Sequence, residues 1–186
     1  LRNNLRNYNV FKREFLKIIL NVKYDENYNV AVAKDFAKQI NFKLSKIKKL
    51  DCIISFDFSI VSHLKTSIPI YIWSDVLYTT YYRHYYRSLN ISKNTSQDIR
   101  YLEKKAVNNA KKIFLSSEWA IKIAKKKYQI NSYKFKKLNF GPNTSILKTK
   151  QDIKKKILAK LNNKLNLLII AVDWKRKGFT NAYKLK

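Results

Sequence analysis

One loop concentrates the charge that could act on a ligand. Asp173-Trp174-Lys175-Arg176-Lys177-Gly178 follows the apolar run from Leu167 to Val172, and a helix is expected from about Phe179. Three cations at a helix start face the positive end of its dipole, which is unfavourable unless an anion fills the site. A phosphate accepting hydrogen bonds from Arg176, Lys177 and the helix amides would fill it. Gly178 would let the backbone turn tightly and approach that ligand. The competing reading is a solvated basic turn in a lysine-rich chain.

Other residues invite chemistry less strongly. Tyr78, Tyr81, Tyr82, Tyr85 and Tyr86, with Arg83 and Arg87, resemble a stacking surface for bases or sugars. Their helical spacing fits core packing with a rim of phenols better. His63 and His84 have no further ligand at metal spacing, so no metal is expected. Cys52, the only cysteine, excludes an internal disulfide and reads as a small core residue within a strand. Lys122, Lys125 and Lys126 suit a solvated helix face, with weak contact to an anionic membrane surface as a further use.

The elements that would carry these residues alternate. Apolar runs at 51–56, 69–73, 112–116, 135–140 and 165–172 read as buried strands. Helical stripes occupy 5–19, 32–47, 77–89, 96–110, 118–128 and 152–161, with Ser117 as the N-cap of one. A short helix or turn is expected at 59–65. This alternation predicts an α/β fold, a Rossmann-like parallel sheet with helices on both faces. Ligands bind such sheets at the carboxyl ends of their strands. That draws attention to Ser74-Asp75, Gly141-Pro142-Asn143 and the 173–178 loop.

Four segments, in order, resemble those of retaining glycosyltransferases of the GT-B fold, the glycosyl transferases group 1 type. Pro69 to Asp75 resembles the strand leading to the acceptor-side catalytic loop. Lys112 to Ala120 resembles the strand that ends in Ser before a helix opening on Trp-Ala. Leu138 to Asn143 resembles the Phe-Gly-x-Asn turn closing the first domain. Leu167 to Gly178 resembles the motif opening the second. The likeness spans roughly 51–183, and the first 50 residues add only compatible helices.

The resemblance implies an acceptor-side Rossmann-like domain over 1–143. A linker helix and the first βα unit of a truncated donor-binding domain would occupy 144–186. The donor would be a nucleotide-diphosphate sugar, and the acceptor a glycan, lipid or small-molecule hydroxyl. No metal or other cofactor would be required. Lys177 matches the family's diphosphate-binding lysine, with Arg176 and Gly178 beside it. A second family arginine has no counterpart at Ala171 or Val172. Asp75 falls where many members carry a catalytic histidine. Its carboxylate could orient a hydroxyl or support oxocarbenium character, whereas the plainer reading is an acid near a helix N-cap. Gly141 and Asn143 mark the domain junction. The family's paired glutamates and first strand have no match in these residues, so an internal piece, inactive in transfer by itself, is expected.

Charge is the remaining feature. The chain has 186 residues with 33 Lys, 7 Arg and only 12 acids, for a net charge of +28. A polyanion partner is one implication, and a basic α/β nucleic-acid-binding module is the alternative function. The lysines are spread through nearly every helix, which favours solvated faces over specific nucleic-acid binding. Two Gly and two Pro exclude collagen-like and linker sequences, and 46% hydrophobic residues exclude a disordered basic tail. The longest aliphatic run is too short to span a bilayer. The absence of Met points to a processed or partial chain, and a cytoplasmic location, peripheral at the inner membrane face, is expected.

Overall fold

The computed structural model describes residues 2–85, 90–129, 133–141, 149–159, 170, 174 and 177–184. The chain divides into two compact units, 1–140 and 141–186. The first contains α1 (Arg2–Leu20), a 3-10 turn (Glu26–Tyr28), α2 (Val30–Leu44), β1 (Ile53–Ser55), α3 (Phe58–Val61), β2 (Ile70–Ser74), α4 (Tyr78–Tyr85), α5 (Lys93–Asn109), β3 (Lys112–Leu115), α6 (Glu118–Tyr128) and β4 (Phe135–Lys137). The second contains α7 (Lys150–Ala159) and α8 (Phe179–Tyr183).

The four strands form one parallel sheet in the order β1-β2-β3-β4. Ile54 pairs with Tyr71, Ile72 with Ile113, and Ile113 with Phe135. The fold is therefore α/β, with a parallel sheet flanked by helices, as the alternation predicts. The expected strand at 165–172 lies outside the described residues apart from Ile170.

Local chemistry sets the element starts. Ser117 caps α6 by accepting from the Ala120 amide at 3.2 Å, as the sequence predicts. Asn29 caps α2 through the Ala31 and Val32 amides, and Ser92 caps α5 through the Thr95 amide. The segment after α1 is tied to the start of α5 by Lys23 N–H to Asn90 O at 2.7 Å and Ser92 N–H to Lys23 O at 2.9 Å.

The expectation of helices on both faces needs correction. The strand order steps in one direction, and right-handed crossovers then place every connecting helix on the same side. Ile70, Ile72, Ile113, Leu115 and Phe135 form the buried side of the sheet. Their core includes Ala37 of α2, Phe58 and Val61 of α3, Ala106 and Val107 of α5, and Ala120 and Ala124 of α6. The opposite side carries Ile54, 62% exposed, the half-buried Tyr71, Trp73, Lys112 and Phe114, and the exposed Lys136. Cys52 also departs from expectation: it precedes β1 and is only half-buried. Among the described residues no helix is long and apolar enough to cross a membrane.

Candidate functional site

The carboxyl ends of the four strands bring Phe56-Asp57, Asp75, Ser116-Ser117 and Leu138–Phe140 to one edge of the sheet. An aromatic wall stands there. Trp73 stacks on Phe140 at 5.0 Å between centroids and 19° between planes, with Phe56 at 5.7 Å. The indole N–H of Trp73 donates to the Leu138 carbonyl at 3.2 Å.

Asp75 sits beside this wall. Ser116 Oγ donates to its backbone carbonyl at 3.1 Å, and Ser74 Oγ donates to the Val76 carbonyl at 3.2 Å, so the loop is pinned from both strands. The side chain is exposed, and its carboxylate makes no hydrogen bond or ion pair among the described residues. Asp75 precedes the first helical residue of α4, Tyr78, by three positions, and no described amide donates to its carboxylate.

Asp57, two residues past β1, is committed to structure instead. Its Oδ1 accepts from Ser59 N–H and Ser59 Oγ, both at 2.6 Å, and from Ile60 N–H at 3.2 Å. Its Oδ2 accepts from the Tyr78 hydroxyl at 2.8 Å. Burial, then the Asp57 charge, push the Tyr78 phenol up, so Tyr78 remains a donor. Tyr78, Tyr81 and Tyr82 are half-buried, as the helical spacing suggests, whereas the Tyr85 side chain, Tyr86 and Arg87 lie outside the described residues. Tyr28 packs edge-on against Tyr78 at 4.7 Å and Tyr82 at 5.7 Å, and the Tyr82 hydroxyl donates to Asp25.

A buried carboxylate organises the helices. Glu103 of α5 is fully buried. It accepts from Thr79 N–H at 2.8 Å, Thr79 Oγ1 at 2.8 Å, Lys127 Nζ at 2.7 Å and the Tyr128 hydroxyl at 2.5 Å. It therefore links α4, α5 and α6. Beside it an open groove of about 810 Å³ runs between α4 and α6, lined by Thr79, Thr80, Arg83, His84, Trp119 and Lys126 among others. His84 meets Trp119 edge-on at 5.6 Å. A neighbouring cavity of about 400 Å³ shares Thr79, Arg83 and Lys127 and adds Arg100.

In the second unit Gly178 adopts φ 75°, the left-handed conformation required at the turn. Lys177 beside it is exposed. The Phe179 amide already donates to the Trp174 carbonyl at 3.0 Å, so it is not free for an anion. With five residues, α8 also offers much less dipole than the expected full helix. Gly141 is exposed and begins the second unit. Arg176 and Asn143 lie outside the described residues. Asp75 belongs to the first unit, and Lys177 and Gly178 to the second.

Compared with known proteins, the chain matches no family model, no curated protein and no solved structure.

Sequence patterning does not reveal the Glu103 hub or the α4–α6 groove. The available signal is an acid next to the apolar stripe Ile99, Leu102, Ala106. Among the described residues no three His, Cys, Asp or Glu side chains gather as a metal site would require. His63 bonds Ser62 Oγ through Nδ1 at 2.9 Å, while its buried Nε2 has no hydrogen-bond partner among the described residues. Burial, then the Lys105 and Lys34 charges, hold its imidazole below the usual range. As pH falls the unfolded chain therefore takes up this proton first. Stability is expected to decline between about pH 7 and pH 5, and His63→Gln should flatten that slope in urea titrations.

Proposed function

We propose that the chain forms the acceptor-side Rossmann-like domain, with the start of the donor-binding domain, of a retaining GT-B glycosyltransferase. The observation that carries this reading is the exposed, uncommitted Asp75 carboxylate on a pinned loop at the carboxyl edge of a parallel sheet. The sequence likeness at 69–75, 112–120, 138–143 and 167–178 supports it. In the reaction, the bond from the anomeric carbon to the diphosphate oxygen breaks, and a bond to the acceptor oxygen forms on the same face of the sugar. Asp75 orients the acceptor hydroxyl or stabilises oxocarbenium character. Lys177, with Arg176, stabilises charge on the departing diphosphate, an effect worth ~3 kcal/mol per well-placed donor.

Binding of UDP, GDP and ADP to the 186-residue chain, followed by equilibrium dialysis, tests the donor side. One of the three is expected to bind weakly but saturably, with Lys177→Ala lowering affinity at least about tenfold. Asp75→Ala should leave that binding unchanged. Saturation by none of them would remove the donor half of the reading.

The alternative, a basic nucleic-acid-binding module, is favoured by one observation. On the half-exposed sheet face Tyr71 stacks on Phe114 at 6.3 Å and 20°, with Lys112 and Lys136 on the same face. Aromatic rings between lysines are how single strands are held without sequence preference. If this reading holds, Phe114→Ala weakens binding of a single-stranded oligonucleotide in gel-shift titrations by about tenfold or more. Binding that is erased by modest salt and indifferent to Phe114 reports bulk charge alone.

A further inference from the structure

The first helix has two unlike sides. Its inner side is fixed to the fold: Asn9 is buried and accepts from the Tyr24 hydroxyl at 2.8 Å, and Arg13 pairs with Glu26 at 2.9 Å. Its outer side carries Tyr8, Phe11, Phe15, Ile18 and Ile19, between 49% and 75% exposed. At 100° per residue these five fall within an arc of about 100°, a continuous apolar face along most of the helix. The Phe11 and Phe15 rings stack at 6.2 Å and 23° on that face.

The rest of the helix is basic. Arg6, Arg13 and Lys17 lie on the side away from the apolar arc, Lys12 borders it, and Glu14 is the helix's only acid. Arg6 and Lys17 make no ion pair among the described residues. A helix with one strong apolar face and a cationic, polar remainder lies in the plane of a membrane surface instead of crossing it. Here α1 is not long and apolar enough to cross.

We propose that α1 docks on an anionic phospholipid surface, with Tyr8, Phe11, Phe15, Ile18 and Ile19 entering the headgroup boundary. Charge selects this occupant over a second copy of the chain. Two copies meeting through α1 would bring together two molecules of net charge +28, each with only 12 acids to offer. An anionic bilayer attracts the same charge and accepts the same apolar face. Arg6 and Lys17, on the far side of the helix, add long-range attraction to that surface. This inference stands independently of the glycosyltransferase reading.

The test is co-sedimentation of the purified chain with vesicles of phosphatidylcholine alone or with about one third phosphatidylglycerol, a composition that supplies the anionic surface. Strong binding is expected only with phosphatidylglycerol. Phe11→Gln combined with Phe15→Gln leaves the charge unchanged and is expected to lower binding at least about tenfold. Arg6→Glu combined with Lys17→Glu should weaken it too, and offers a second reading if the first pair disturbs folding by circular dichroism. Ile153→Gln, an exposed apolar position on α7, is the control and should have no effect. Equal binding by wild type and the Phe11, Phe15 double variant would overturn the proposal, since net charge alone would then account for adsorption. So would light scattering that shows a dimer dissolved by the same two substitutions.

Discussion

Glu103→Ala is expected to destabilise the first unit by about 3–5 kcal/mol, the range for removing one partner of a buried charged network. The carboxylate has no exposure, and it receives four hydrogen bonds from Thr79, Lys127 and Tyr128. Alanine leaves a buried amide, two hydroxyls and an ammonium without their acceptor, and adds a cavity. Burial, the larger cause of the raised Tyr128 phenol, persists without the Glu103 charge, so Tyr128 does not relieve the loss by giving up its proton. In thermal unfolding the change corresponds to a drop of about 10 °C or more for a unit this size. Glu103→Gln keeps the shape and one acceptor oxygen, and should fall between wild type and alanine. Lys127→Met isolates the other side of the pair. Its side chain is 32% exposed, so part of its loss is met by solvent and the effect should be smaller. An alanine variant within about 1 kcal/mol of wild type, on the scale of an ordinary surface change, would show that the network does not hold the helices together.

Glu103 also marks the boundary of what local sequence carries. Alternation of apolar runs and helical stripes is enough to place four parallel strands and the helices between them, because both signals are local. The Ser117 cap and the left-handed Gly178 are legible for the same reason: each depends on a few neighbouring residues. Glu103 is not. An acid on a helix reads as solvated, and its burial is decided by Thr79 and Tyr128, 24 and 25 residues away. The half-exposed sheet face is hidden too. Tyr71, Trp73 and Phe114 look like core residues in any strand, and only the strand order reveals that all the connecting helices fall on the other side. Asp57 and Asp75 both follow strands, and nothing in the sequence separates them.

Their separation gives the second large expectation. Asp57→Ala should cost about 3 kcal/mol, combining a lost helix cap with charged hydrogen bonds from Ser59 and Tyr78. Asp57→Asn retains an acceptor for the Ser59 and Ile60 amides and should recover most of that loss, leaving mainly the weakened Tyr78 contact. Asp75→Ala should lie within about 0.5 kcal/mol of wild type, as for an exposed side chain with no partner among the described residues. Urea unfolding of the three variants measures this directly. With that result, a carboxylate on a loop pinned by Ser74 and Ser116 would be held in place without being used by the fold. That combination makes it available to a substrate. Should Asp75→Ala prove as costly as Asp57→Ala, Asp75 would belong to the scaffold and the proposed site would lose its reacting group.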